Sequence, residues 1–149
     1  MNNDELLKLD NQLCFSVYAL SREITKMYRP LLDELGITYP QYLVLLVLWE
    51  SGESTVKELG EQLFLDSGTL TPLLKRMQDG GLIVRERSSV DERRVLIKLT
   101  EDGKLLQEKA ICIPMSLIDN GEMSSNELVS MRKLVQQLLN QVHQVNVKK

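Results

Sequence analysis

The length, composition and charge of the chain fit one globular domain, with or without helical extensions, and exclude several other classes. Of its 149 residues, 43% are hydrophobic and 26% are charged, and the formal net charge is −3. The uncharged stretch 37–49 is too short to span a bilayer, and the acidic start MNNDELLKLD is unlike a secretory signal. We therefore expect a cytoplasmic protein without a membrane partner. The two cysteines, Cys14 and Cys112, are far apart, and one histidine without a CxxC motif offers too few zinc ligands, so we predict neither a metal nor a cofactor.

Apolar residues at alternating spacings of four and three predict a long amphipathic first helix, suited to a helical bundle or a coiled coil. They are Leu13, Val17, Leu20, Ile24, Met27, Leu31 and Leu35. Pro30 should bend this helix, and Gly36 should end it. Pro40 then opens a second helix, QYLVLLVLW, which is apolar almost all round and should be the most buried helix of the chain.

The stretch 54–100 has the pattern of a winged helix-turn-helix. Ser54 or Thr55 caps a third helix, and a short turn separates it from a fourth helix. Two runs rich in β-branched residues follow at 82–87 and 94–99, and they predict a short β-hairpin, the wing.

The start of the fourth helix depends on Pro72. If the helix starts near Thr69, the missing N–H of Pro72 is harmless, because the first N–H groups of a helix lack partners anyway. If Asp66 is the N-cap, Pro72 should kink the helix or loosen its first turn. The sequence leaves both starts open.

Polar and basic side chains of this region are candidates for DNA contact. The segment from Lys75 to Lys98 has seven basic and four acidic residues, a local positive excess on an acidic protein. Hydroxyl side chains at the start of the fourth helix suit contacts to phosphates or base edges. The lysine and arginine side chains that follow them suit contacts to phosphates. An arginine at the wing tip, 88–93, suits a minor groove, with Asp91 orienting it by a charged hydrogen bond. The strand arginines fit phosphate contacts and a solvated face equally well. The candidates are Ser67, Thr69, Thr71, Lys75, Arg76, Arg85, Arg87, Asp91, Arg93 and Arg94.

Two further helices complete the predicted chain. Thr100 caps a fifth helix, which runs toward Pro114, where it should kink or end. Ser124 and Glu127 form a capping box for a last helix with a broad apolar stripe. Because a small wing domain cannot cover the stripes of the first and last helices, we expect these helices to pair with each other and with a second subunit.

The predicted fold is therefore mainly α: one domain, 1–149, with a winged helix-turn-helix and a small β-hairpin at 54–100. Long N- and C-terminal helices, in 1–36 and 101–149, are predicted to form a homodimer.

This order of elements resembles the MarR family of dimeric repressors. The wing sequence DERRVLIKLTEDGK holds that family's D-x-R, apolar strand and L-T-x-x-G arrangement, formed here by Asp91, Arg93, Leu99, Thr100 and Gly103. Within the family, NQLCF, the tyrosine motifs KMYRPLL and ITYPQYL, and LDSGTLTPLLKRM closely resemble the organic-hydroperoxide-sensing members, the OhrR type. The resemblance covers about residues 9–142.

The resemblance implies a set of redox residues and a function. Cys14 would be the sensor thiol, Tyr28 and Tyr39 would hydrogen-bond its thiolate, often across the subunit interface, and Tyr18 matches another tyrosine of the branch. Oxidation by an organic hydroperoxide would release the dimer from a pseudo-palindromic DNA operator. The branch contains one-cysteine sensors, trapped by a small thiol or by over-oxidation, and two-cysteine sensors, closed by a disulfide to the partner. Cys112 is the candidate resolving cysteine, although it precedes Pro114 whereas the resolving cysteine of two-cysteine members follows the proline.

The residues themselves also permit less specific roles. Cys14 near a helix start favours a thiolate, but an isolated cysteine is commonly a small buried hydrophobe. Cys112, on the apolar side of the fifth helix, favours packing over a resolving role. Tyr28 and Tyr39 fit interface aromatics as well as thiol partners. The competing functions are a MarR-type repressor that responds to a small aromatic ligand or to other oxidants, a thiol peroxidase, and a protein-interaction module; we predict no enzyme activity.

Overall fold

The structure is a computed structural model that describes residues 2–149. It contains two compact units, one ending at Ile113 and one comprising Pro114–Lys149. In chain order the elements are α1 (Asn3–Leu6), a short 3₁₀ helix (Leu9–Asn11), α2 (Leu13–Leu35), α3 (Tyr39–Ser51), β1 (Glu53–Thr55), α4 (Val56–Leu63), α5 (Ser67–Asp79), β2 (Ile83–Arg87), β3 (Val95–Leu99), α6 (Glu101–Ala110), α7 (Cys112–Asp119) and α8 (Ser125–Val147).

Helix α2 is the long amphipathic helix that the sequence predicts. It ends at Gly36, whose φ of 69° places it in the left-handed conformation that glycine adopts without strain. Pro30 lies inside the helix. The buried part of the stripe is at the C-terminal end, with Tyr28 and Leu32, whereas Leu13 is 60% and Leu20 50% exposed. The N-terminal half of the stripe is therefore uncovered in a single copy.

Helix α3 is the core of the first unit, as expected. Thr38 and Gln41 form a capping box at its start, which satisfies N–H groups that the helix leaves unpaired. Val44, Leu45 and Leu48 are completely buried. Burying each such side chain contributes roughly 1.5–3 kcal/mol. The rest of the unit, including the DNA-binding elements, is built around this helix.

The start of α5 is settled by a hydrogen bond at its N-cap. Asp66 Oδ1 accepts from the Thr69 N–H at 2.7 Å, so the helix begins at Ser67 and Pro72 lies inside it. The start near Thr69 is wrong, because the carboxylate of Asp66 provides a stronger cap. Pro72 has no N–H to donate to the carbonyl of Gly68, so the first turns of this helix are held by one bond fewer.

The wing is a three-stranded antiparallel sheet of order β1-β3-β2. The predicted hairpin is present, with Ile83 paired to Leu99 and Arg87 to Val95. Strand β1, which pairs Glu53 with Lys98, was not predicted, since three residues are too few to show alternation. Lys98 Nζ lies 3.6 Å from a carboxylate oxygen of Glu53 and 3.1 Å from one of Glu86, so it links all three strands.

The predicted fifth helix is two helices. Helix α6 ends at Ala110, and α7 starts at Cys112, so Pro114 falls in the first turn of α7 rather than at the end of α6. A proline is tolerated there, because the first N–H groups of a helix have no partners within it. Pro114 has no N–H to donate to the carbonyl of Ala110, and its ring clashes with that carbonyl, which accounts for the end of α6 at this point.

Helix α8 belongs to the second unit and begins with the predicted capping box. Ser124 accepts from the Glu127 N–H, and the Glu127 carboxylate accepts from the Ser124 N–H at 2.7 Å. No residue of Ser125–Val147 is buried. Its apolar stripe, from Met131 to Val145, is thus open to solvent in a single copy.

Gly103 offers a test of how tightly α6 packs on the wing. A Cβ there would overlap the backbone oxygen of Leu82 and lie 3.1 Å from Leu99 Cδ2. We expect Gly103→Ala to lower the free energy of unfolding by about 1–3 kcal/mol, measured by urea denaturation. Gly68→Ala is the matched control, because its Cβ would meet only the end of the Asp66 side chain, at 3.3 Å. Equal stability of the two variants would contradict this packing.

Candidate redox site and DNA-binding surface

Cys14 is the second residue of α2, and its thiol is free and exposed. Gln12, the N-cap, accepts no side-chain hydrogen bond from the first turn, so the backbone N–H groups there remain available to a negative charge. Exposed apolar side chains flank Cys14 in the sequence, with Phe15 44% and Val17 40% exposed. The thiol of Cys14 is not buried in a single copy. Its expected burial therefore requires residues of another copy to cover it.

The candidate thiol partners belong to a row of four aromatic rings, Tyr28, Tyr39, Tyr42 and Trp49, here called the aromatic row. Successive ring centroids are 6.0, 6.1 and 6.3 Å apart, within the range of packed aromatic pairs. Tyr28 and Tyr42 are buried, and the other two are half-buried. Trp49 Nε1 donates a hydrogen bond of 2.9 Å to the carbonyl of Gly103.

Burial raises the pKa of each tyrosine hydroxyl in this row. It raises the pKa of Tyr28, with a smaller contribution from Tyr39, and it raises the pKa of Tyr39 itself. The pKa of Tyr42 rises to about 12, because of burial first and then the charges that Tyr28, Tyr39 and Cys112 would carry when ionised. At neutral pH the three phenols are hydrogen-bond donors, and Tyr28 and Tyr39 thus meet the requirement for partners of a thiolate.

Tyr42 is the functional candidate that the sequence-based site set omits. Positions 39, 42 and 49 fall on one face of a helix, because spacings of three and seven residues bring side chains together. That spacing was visible in TYPQYLVLLVLW, but the apolar character of the whole segment concealed it.

Cys112 starts α7, and its thiol is free and exposed, so the packing expected for Cys112 is absent in a single copy. Its thiol donates a hydrogen bond of 3.2 Å to the carbonyl of Lys109. When ionised, Cys112 contributes to the raised pKa of Tyr42, so the second thiol lies within electrostatic range of that ring.

The first thiol and its candidate partners are not brought together within one chain. Cys14 and Tyr28 lie on the same helix, fourteen residues apart, which corresponds to about 21 Å along its axis. A hydrogen bond to the thiolate is therefore impossible within one copy. Tyr18, one turn after Cys14, is 62% exposed, and the Arg22 guanidinium lies 5.5 Å from its ring centroid.

The DNA-binding candidates share one property: every one of them is exposed. They are Ser67, Thr69, Thr71, Lys75, Arg76, Arg85, Arg87, Asp91, Arg93 and Arg94. The opposite face of α5 is buried through Leu70, Leu73, Leu74 and Met77. The helix thus presents its hydroxyl and basic side chains outward from a fixed position on the core.

Hydrogen bonds within the wing hold several of these residues in place. Asp91 Oδ1 accepts from the backbone N–H of Arg93 at 3.1 Å, so the carboxylate of Asp91 orients Arg93 through its backbone and shapes the turn. Arg85 Nε donates to Gln78 Oε1 at 2.6 Å, which ties the wing to α5. Arg87 Nη1 donates to the carbonyl of Glu92 at 3.4 Å, across the hairpin. The arginines are therefore partly pre-oriented before any DNA is bound.

The described residues offer neither a metal-binding cluster nor a single membrane-spanning helix. Within residues 2–149, no group of three or more His, Cys, Asp or Glu side chains is placed to hold a metal ion. No single helix of that range is long and apolar enough to cross a membrane. By length and composition, α2 and α3 could do so only as a pair that is bent by 72°. Helix α3 is the buried core helix of the first unit.

An exposed recognition helix beside a basic wing defines a DNA-binding transcriptional regulator, and comparisons with known proteins agree. The family model for the transcriptional regulator SarA/Rot matches residues 26–110. An organic hydroperoxide resistance transcriptional regulator of Bacillus subtilis (strain 168) is 57% identical over 145 residues, covering 97% of this chain and 99% of that protein. The chain belongs to the MarR family of transcriptional regulators, in its organic-hydroperoxide-sensing OhrR branch.

Solved structures confirm the predicted fold class. The structure of reduced AbfR bound to DNA is 36% identical with a TM-score of 0.80, covering 97% of this chain and 99% of that one. The structure of disulfide-formed AbfR is 38% identical with a TM-score of 0.63, covering 91% of this chain and 96% of that one. AbfR is a protein of Staphylococcus epidermidis.

Proposed function

We propose that the protein is a homodimeric cytoplasmic repressor that binds a pseudo-palindromic operator while reduced and releases it when an organic hydroperoxide oxidises Cys14. The observation that carries this proposal is the placement of the exposed Cys14 thiol at the start of α2 and of the buried Tyr28, with Tyr39 packed against it, toward the other end of that helix. Two copies with antiparallel α2 helices would bring the Cys14 of each against Tyr28 and Tyr39 of the other.

Dimerisation is supported by the apolar surface that one copy leaves open. The N-terminal half of α2 and the stripe of α8 both expose large aliphatic side chains, including Leu13, Leu20 and Leu134. Exposed apolar stripes of this kind, taken on each helix by itself, mark interaction sites. The regions 1–36 and 101–149 are therefore assigned to the dimer interface, and 54–100 to DNA.

The proposed reaction is a two-electron oxidation of the thiolate. The Cys14 sulfur attacks the terminal oxygen of the hydroperoxide, the O–O bond breaks, and the alcohol leaves after taking up a proton. Cys14 becomes a sulfenate. The exposed apolar side chains of Leu13, Phe15 and Val17 suit the organic part of the oxidant better than hydrogen peroxide.

The sulfenate then has two routes onward. A low-molecular-weight thiol condenses with it to give a mixed disulfide and water, or the thiol of the partner's Cys112 does so to give an intersubunit disulfide. The second route is supported by the electrostatic influence of Cys112 on Tyr42, in the row that the partner's Cys14 would face. It requires the two Cα atoms to come within about 7 Å.

Release follows from a change in the spacing of the two recognition helices. In the dimer, the two α5 helices would enter major grooves about 34 Å apart. A bulkier group at Cys14 displaces the tyrosine hydroxyls that held the thiolate, and the α2 helices that form the interface shift. The coupling needed is modest, since a change in affinity of about 5- to 150-fold corresponds to 1–3 kcal/mol.

The test is a binding titration of reduced protein on a duplex selected from random DNA, followed by fluorescence anisotropy. One equivalent of cumene hydroperoxide should weaken binding by about 5- to 150-fold, and a thiol reductant should restore it. Intact-mass measurement without reductant, with and without free cysteine, identifies the product: a small-thiol adduct marks the first route and a doubled mass the second.

Other outcomes distinguish the competing functions. Release by a small aromatic acid, with no response to hydroperoxide, would replace this proposal with a ligand-responsive repressor. Steady consumption of hydroperoxide with a thiol reductant would indicate a thiol peroxidase.

A further inference from the structure

We infer that Tyr42 and Trp49 are positioning residues that connect the thiol-binding tyrosines to the base of the wing. The inference rests on the proposed function, since it assigns the route by which oxidation at Cys14 reaches the DNA-binding surface. Neither residue would touch the thiol, the oxidant or DNA. Each acts through its neighbour in the aromatic row.

The first step is the packing of the row itself. Tyr39, Tyr42 and Trp49 lie on one face of α3, and Tyr28 reaches them from α2. Tyr42 is only 5% exposed and contacts a ring on either side. Because protein interiors are close-packed, a displaced Tyr39 ring cannot move without displacing Tyr42 as well.

The second step is the anchor at the other end. The Trp49 indole N–H donates to the carbonyl of Gly103, in the first turn of α6. The backbone of Gly103 is pressed against the carbonyl of Leu82, which also accepts from the Thr100 N–H at 3.0 Å. Thr100 Oγ1 donates to the carbonyl of Gly81 at 2.6 Å. Gly81, Leu82, Thr100 and Gly103 thus form one rigid group, here called the wing base.

The third step is the position of the wing base between the two DNA-reading elements. It follows α5 and precedes β2 on one side, and it follows β3 on the other. Ile83 and Leu99, the strand residues next to it, are paired in the sheet. Coupling between separated sites is carried by such chains of packed side chains and hydrogen bonds when they have two discrete arrangements. A shift of the Trp49 ring would therefore tilt the wing relative to α5.

The main test compares Trp49→Phe with Ser51→Ala. Trp49→Phe keeps a ring but removes the N–H donor. Ser51→Ala is the matched control, because it removes a half-buried side-chain-to-backbone bond of 2.8 Å, to the carbonyl of Val47, on the same helix but outside the row. The quantity measured is the ratio of the operator Kd of oxidised protein to that of reduced protein. We expect the ratio to fall about fivefold in Trp49→Phe and to stay at the wild-type value in Ser51→Ala.

Wild-type protein and intact-mass measurement make the outcomes distinguishable. If the wild type is not oxidised at Cys14, or is oxidised but not released, the proposed function fails. If the wild type responds and Trp49→Phe responds equally, only this inference is overturned. An equal fall in both variants also overturns it, since that indicates general loosening of α3.

A second measurement uses the fact that Trp49 is the only tryptophan of the chain. Its emission should shift when Cys14 is oxidised. Tyr42→Phe, which keeps the ring, should retain the shift, and Tyr42→Leu, which interrupts the row, should lose it. A shift that survives in Tyr42→Leu, or its absence from the oxidised wild type, would contradict the inference.

Discussion

Replacing Cys14 with serine should abolish release by organic hydroperoxide, while the reduced-state affinity for the operator stays near the wild-type value. The serine hydroxyl has nearly the shape of the thiol and still accepts hydrogen bonds from tyrosine, but a peroxide does not oxidise it. The measurement is operator binding before and after one equivalent of cumene hydroperoxide, where the wild type should weaken by about 5- to 150-fold and the variant by less than about twofold.

Cys112→Ser is the matched control for this experiment. It also removes one exposed thiol, but it leaves Cys14 able to form the sulfenate. We expect it to respond to the oxidant, with an altered final product if the intersubunit disulfide is the normal one. A Cys14→Ser protein that hydroperoxide still releases would contradict the oxidation model.

Replacing Arg93 with alanine should weaken operator binding by about 10- to 100-fold, which corresponds to roughly 1.4–2.8 kcal/mol. Arg93 is exposed at the wing tip, and the bond from its backbone N–H to Asp91 fixes the turn that presents it. An arginine in a narrow minor groove is attracted by the enhanced negative potential there. Loss of one such charge should also reduce the slope of log K against log salt concentration by about 1.

Lys109→Ala is the control for Arg93→Ala, because it removes an exposed positive charge from the last turn of α6, outside the recognition helix and the wing. It should change affinity by less than about twofold. If Arg93→Ala has as little effect on affinity as Lys109→Ala, the wing tip does not enter the groove. That result would favour the alternative function of a protein-interaction module.

Local patterns predicted most of the fold. The stripe from Leu13 to Leu35 identified α2, the uniform apolarity of QYLVLLVLW identified the buried α3, and Ser124 with Glu127 marked the start of α8. Such features depend on residues three or four apart, so they can be read from one sequence. Strand β1 could not, because its pairing with β3 joins Glu53 to Lys98, a non-local contact.

The candidate sites were harder to predict, for a different physical reason in each of three cases. Helical propensity alone does not decide between two starts of α5, whereas the hydrogen bond from Thr69 to Asp66 does. The role of Tyr42 depends on which side chains meet across α2 and α3, and the apolar sequence of α3 gives no indication of that. The exposure of Cys14 is a third case, because the residues of a single chain leave the thiol at the start of α2 uncovered.

The distance between Cys14 and Tyr28 along α2 has a genetic consequence. Each dimer would contain two identical composite sites, and each chain would contribute the thiol to one and the phenols to the other. A chain lacking Cys14 and a chain lacking Tyr28 and Tyr39 are then both inert as homodimers. Paired with each other, they would restore one intact site and leave the other without either component. Defects at the two ends of this helix should therefore complement when both alleles are expressed in one cell.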